Sequence, residues 1–174
     1  MKKNILLTFL LFSFVFLTAQ NDIKKTEIGK NNVTKIILLR HAEKVLDGTK
    51  DPKLTSEGEK RAERLGFMFL DIKIDKIFSS PYTRTKMTVA KLAENKNLEI
   101  EEYDPKDLAF AKYLQEKEQG KTSVIVGHSN SIPKLVNQLI GEEKFNQLNE
   151  EVYSKIWILT FSNDTLIDCS LFNF

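Results

Sequence analysis

Short, unbroken apolar runs, each closed by a turn and followed by a helical pattern, constrain this chain more than any other feature. Ile36-Ile37-Leu38-Leu39, Ile77-Phe78 and Val124-Ile125-Val126 are such runs. Continuous apolar strands bounded by turn signals are buried on both faces, as happens in parallel sheets covered by helices. The spacing predicts strands over 35–39, 76–79, 98–101 and 122–126. A terminal hairpin is expected from 155–161 and 165–172, turning at Ser162-Asn163-Asp164. Between the strands, Ser56-x-x-Glu59 reads as a capping box that opens a helix with Ala62, Leu65, Gly66 and Phe69 inward. Ser80-Pro81 is expected to open a second helix, with Pro in its first position and Met87 and Ala90 inward. A third is expected over 106–118, with Leu108, Ala111 and Leu114 apolar and Gly120 ending it. A fourth follows Asn130, with Pro133 in its first turn and Leu135, Leu139 and Ile140 inward. Strands alternating with helices give an α/β chain with a mostly parallel sheet.

In such sheets ligands sit just beyond the carboxyl ends of the strands. The chain has two histidines, His41 and His128, and each is separated from the end of an apolar run by one residue. Arg40 precedes His41, and Arg84 follows the run that ends at Ser80-Pro81. Two imidazoles and two guanidiniums then meet in one crevice. Guanidinium forks donate paired hydrogen bonds to phosphate oxygens. A neutral imidazole can attack phosphorus and carry the phosphoryl group covalently. Phosphoryl transfer is mostly positioning and electrostatics, so this set points to that chemistry.

The first residues belong to another function. Met1-Lys2-Lys3-Asn4 is basic, and Ile5 to Ala19 is an almost unbroken apolar run of 15 residues. A positive start, a short apolar stretch and a small residue near its end describe a secretory signal peptide, 1–20. The run is too short for a membrane span, which needs about 20 apolar residues. No cysteine follows it, so no lipid anchor is expected. The reading is a signal peptide, a polar leader over 21–34 and one domain over 35–174, periplasmic or secreted. Losing Lys2 and Lys3 from 26 basic residues leaves 24, equal to the 24 acids. A neutral mature chain gives no support for nucleic-acid or anionic-membrane partners. Cys169 is the only cysteine, so no internal disulfide forms.

Four segments resemble one known family. They are Leu38-Leu39-Arg40-His41-Ala42-Glu43, Leu54-Thr55-Ser56-Glu57-Gly58, Ser79-Ser80-Pro81-Tyr82-Thr83-Arg84 and Val126-Gly127-His128-Ser129-Asn130. Together, and in this order, they look like the histidine phosphatase superfamily, also called phosphoglycerate mutase-like. The resemblance implies a three-layer α/β/α sandwich with no metal and no bound organic cofactor. It implies that His41 is the residue phosphorylated and that Arg40, Arg84 and His128 complete the phosphate pocket. Ala42 departs from the glycine that often follows the catalytic histidine. The proton donor to the leaving group is expected from the carboxylates after the third strand, Glu101, Glu102, Asp104 and Asp107, with Asp104 favoured and Glu43 next. The compact length is similar to that of the small phosphatases of the family rather than its mutases. A small or glycan-linked phosphomonoester is the expected substrate.

Three other readings are weaker. Gly127-His128-Ser129-Asn130-Ser131 resembles a serine nucleophile elbow, but no histidine follows His128 to complete that order. A metal-dependent hydrolase built on His41, Glu43, His128 and Asp104 lacks ligand spacing, and Arg40 and Arg84 would repel a cation. A pseudophosphatase would bind a phosphorylated ligand without turning it over.

Overall fold

The computed structural model describes residues 32–174. The expected signal peptide and most of the leader lie outside the described residues. Among the described residues, one sheet forms from β1 (Val33–Arg40), β2 (Lys76–Ser79), β3 (Ile100–Glu102), β4 (Thr122–Gly127), β5 (Lys155–Ser162) and β6 (Thr165–Asn173), in the order β3-β2-β4-β1-β5-β6. The pairings from β3 through β2 and β4 to β1 are parallel, and β5 and β6 add an antiparallel edge. The sheet is thus mostly parallel, as the unbroken apolar runs predict.

Residue alternation along the strands splits the core in two. Ile37 and Leu39 of β1 and Val124 and Val126 of β4 meet Leu65, Val89 and Leu92. These come from α1 (Ser56–Met68) and α2 (Thr83–Lys96). Ile36, Leu38 and Ile125 face the other way, onto Phe110, Leu114, Ile132 and Val136. These belong to α3 (Phe110–Lys117) and α4 (Ser131–Ile140). Helices on both faces of the sheet make the expected three layers.

Local chemistry moves several boundaries. The cap of α1 is Thr55 rather than Ser56; its hydroxyl accepts from the Gly58 N–H at 3.1 Å. α2 starts at Thr83, because Pro81 sits in a turn in which the Tyr82 N–H donates to the Ser80 carbonyl. Ala90 is exposed on α2, and Thr85, Thr88 and Val89 take the inward positions. α3 begins four residues later than its spacing predicts. Asp104 and Asp107 each accept a backbone N–H two residues on, from Lys106 and Ala109, so 104–109 is committed to turns. Leu108 is left exposed.

Gly58 has a packing reason. A Cβ there would fall on the backbone carbonyl of Glu43, which cannot swing aside as a side-chain end could. The same carbonyl accepts from the Thr55 N–H, tying the start of α1 to the segment just after His41. Gly58→Ala is expected to lower stability by about 1–3 kcal/mol, read as a lower melting temperature.

Candidate active site

The topology singles out the carboxyl end of β4. β1 and β2 flank β4 and lead to helices on one face, whereas β4 leads to α4 on the other. Neighbouring strands whose chains leave in opposite directions open a crevice between them. Arg40 lies in register with Gly127, so His41 and His128 emerge side by side. Their rings are 5.5 Å apart, edge to face. Arg84 enters from the first turn of α2. All four expected residues, Arg40, His41, Arg84 and His128, line one open crevice of about 360 Å³.

His41 is almost fully buried. Its Nδ1 lies 2.7 Å from the Ala42 carbonyl, which can only accept, so the proton resides on Nδ1 and Nε2 carries the lone pair. Ala42 is held in turn by its N–H, which donates to Thr88 Oγ1 of α2 at 2.9 Å. Its methyl group packs with Leu54 and Ala62, so a residue larger than glycine fits there.

His128 donates from Nε2 to Ser80 Oγ at 2.9 Å, and Ser80 Oγ donates to Thr85 Oγ1. Its Nδ1 accepts from Arg84 Nη2 at 3.4 Å. Arg84 also reaches Asp51, whose carboxylate accepts the Thr83 N–H and hydroxyl at the start of α2. Arg84 lies over the Tyr82 ring, 4.5 Å from its centroid.

Arg40 is 1% exposed and is bound on its far side. Nη1 donates to the carbonyls of Asn149, Glu150 and Val152, and Nη2 to Glu150 Oε2 at 2.8 Å. Tyr153 stacks 4.2 Å from the guanidinium. Among the described residues, the Nε–H groups of Arg40 and Arg84 are both buried without a partner. Buried donors are almost always satisfied, so two bare ones in one crevice mark a place for an anion. Ser129, Asn130 and Ser131 line the same crevice at the start of α4, where helix N–H groups favour negative charge.

The expected proton donors lie elsewhere. Asp104 is exposed and does not line the crevice; the neighbouring Pro105 and Lys106 do. Glu102 pairs with Lys86, and Glu101 with Lys76. Glu43 makes a bidentate ion pair with Arg61, and this holds its carboxyl below the ordinary range. The one carboxylate lining the crevice among the described residues is Glu150, which sequence reasoning missed. It accepts from Ser129 Oγ at 2.7 Å and from Arg40, and these bonds lower its pKa. Lys44, Lys106 and Gln147 complete the lining and were also missed. Among the described residues, no three His, Cys, Asp or Glu side chains lie close enough together to hold a metal.

Burial pulls the His41 pKa from 6.5 down to about 3, and the nearby Arg40 adds to this. Burial and Arg84 pull His128 down to about 4. The unfolded chain therefore binds protons at both positions at pH values where the folded chain does not. Stability is full above pH 6.5 and falls as the pH drops toward 4, by about 1.4 kcal/mol per pH unit for each histidine. Thermal melting between pH 7 and 4.5 is expected to trace this loss. The doubly substituted chain, His41→Asn with His128→Asn, is expected to lose less.

Known proteins fit this geometry. Residues 36–105 match the family model described as histidine phosphatase superfamily (branch 1). Phosphoserine phosphatase 1 of Hydrogenobacter thermophilus is 39% identical over 74 residues, which cover 39% of this chain and 35% of that protein. The match thus spans about a third of the length of that curated relative. Among solved structures, the protein histidine phosphatase SixA complexed with tungstate superposes with a TM-score of 0.66 at 17% identity, over 80% of this chain and 96% of that one. The phosphoserine phosphatase of Entamoeba histolytica, in complex with 3-phosphoglyceric acid, gives 0.60 at 19%, over 81% and 97%. At these identities the two structures speak for the fold. The matched segment runs from β1 past the end of β3 and carries Arg40, His41 and Arg84, and over it the chain is similar to the histidine phosphatase superfamily.

Proposed function

We propose that this protein is a phosphatase that hydrolyses phosphomonoesters through a phosphohistidine on His41. The observation that carries the reading is the neutral imidazole of His41, with Nδ1 tied to the Ala42 carbonyl, in a crevice holding two unpartnered guanidinium N–H groups. Nε2 attacks phosphorus, and the ester oxygen leaves and takes a proton from water. The Nδ1–H bond to Ala42 supports the positive charge that forms on the ring. Arg84, the Arg40 Nε–H and the α4 amides hold the phosphoryl oxygens, and the neutral His128, which accepts from Arg84 through Nδ1, orients that guanidinium. Water then attacks the phosphohistidine, releases inorganic phosphate and restores His41.

The basic and apolar start of the chain supports export, with cleavage near residue 20 and a periplasmic or secreted mature protein. Among the described residues, no helix is long and apolar enough to cross a membrane. A small phosphorylated metabolite is the substrate class that fits an open crevice. This is in keeping with the relatives, a phosphoserine phosphatase and a structure holding 3-phosphoglyceric acid. A glycan-linked phosphomonoester fits an exported enzyme equally well.

The test is turnover of 4-nitrophenyl phosphate by the purified mature chain, together with trapping of the intermediate. An acid-labile, base-stable phosphoenzyme is expected, since phosphoramidates break in acid whereas phosphoserine breaks in base. Binding of phosphate without any turnover would instead identify a pseudophosphatase.

A further inference from the structure

We infer that Lys44 and Lys106 read a second anionic group on the substrate, so that this crevice selects phosphomonoesters that also carry a carboxylate or another phosphoryl group. The inference deepens the phosphatase reading and rests on it.

The charges in the crevice exceed what one phosphoryl group needs. Arg40, Lys44, Arg84 and Lys106 line it, against the single carboxylate of Glu150. Glu150 is already bound by Arg40 and Ser129. A phosphoryl group brings a charge of about −1.5 to −2, which Arg84, the Arg40 Nε–H and the α4 amides can meet. Lys44 and Lys106 then remain. Neither forms an ion pair among the described residues, although carboxylates lie near both in sequence.

Each of those carboxylates is directed elsewhere. Glu43, beside Lys44, is held by Arg61. Asp104 and Asp107, on either side of Lys106, accept the backbone N–H groups of Lys106 and Ala109. Glu102 is paired with Lys86. Asp51 is fixed on Thr83 and Arg84. The fold has thus turned the neighbouring acids away and left two ammonium groups at the rim. Lys44 also lines an adjoining depression of about 270 Å³, shared with Arg84 and Lys50, which gives room for the rest of a substrate. A wall-mounted ammonium beside a binding cleft raises affinity for anions more than an isolated surface lysine does.

The test is competition against 4-nitrophenyl phosphate hydrolysis at low salt. It compares 3-phosphoglycerate with glycerol 3-phosphate, which share a primary phosphoester and differ by the carboxylate. Glycerol 1,3-bisphosphate supplies the second phosphoryl arm. At least one of the two dianion carriers is expected to inhibit with a Ki at least about fivefold below that of glycerol 3-phosphate. In the chain bearing Lys44→Met and Lys106→Met, that ratio is expected to fall to near one. A wild-type ratio under fivefold for both ligands, or a ratio that survives the two substitutions, overturns the inference. Competition removes any dependence on leaving-group chemistry. If the wild-type chain turns over no aryl phosphate, the phosphatase reading fails by itself. Calorimetric Kd values for the same three ligands then decide the role of the lysines by the same thresholds.

Discussion

His41→Ala is expected to lower kcat for aryl phosphate hydrolysis by about 10⁴-fold or more, the order found when a covalent nucleophile is removed. No neighbouring group can stand in. The other imidazole, His128, is 5.5 Å away by ring centroid, with Nε2 given to Ser80 and Nδ1 facing Arg84. Labelled phosphoenzyme should vanish with the substitution, whereas His128→Ala should still form it, slowly. Burial also keeps the His41 imidazole deprotonated far into acid, with a pKa of about 3. The activity of the wild type, corrected for ionisation of the substrate, should therefore hold from pH 7 to pH 5. A histidine with an ordinary pKa of 6.5 would lose about 25-fold over the same range. More than about 1% residual turnover in His41→Ala would sink the covalent mechanism.

The second large effect concerns the leaving group. Sequence reasoning places a proton donor after β3, but none of the carboxylates there lines the crevice. Glu150 is inside it, yet the hydrogen bond from Ser129 and the ion pair with Arg40 lower its pKa and favour the carboxylate. A positioned acid contributes about 10²–10⁴ in rate when the leaving oxygen is basic. Without one, kcat/KM should fall by about that factor from nitrophenyl to simple alkyl phosphates. A series of esters spanning leaving-group pKa measures it, and a flat line would show that a donor is present. Asp104→Asn is expected to change turnover by less than about twofold at every point of the series. A selective loss on alkyl esters would return the donor role to Asp104.

What could be read beforehand divides along a physical line. β2 was legible to the residue, because Ile77 and Phe78 are buried on opposite faces and Ser80-Pro81 stops the run. The four pocket residues were legible because each lies at or just past a strand end or in the first turn of a helix. Helix starts were less so, since Asp104, Asp107 and the Ser80–Tyr82 turn compete for backbone N–H groups that the helical period alone would claim. Glu150 had no local signal. It lies in the irregular segment between α4 and β5, which shows neither period. Its place is set by Asn137, which binds the backbone of Lys144 and Phe145, and by the Leu148 N–H, which donates to the Ser129 carbonyl.

Arg40 joins that segment to the end of β1 across 109 to 112 residues of sequence. A ribosome-bound chain that has emerged only as far as α4 already presents both histidines and Arg84. It offers Arg40 none of the acceptors that surround it in the finished protein. A buried guanidinium deprived of its partners costs about 3–5 kcal/mol. The same late segment leads into β5, whose Ile156, Trp157 and Leu159 complete both core layers, so the core and the anion site are finished together. The crevice takes its final form only when the last fifth of the chain closes over Arg40.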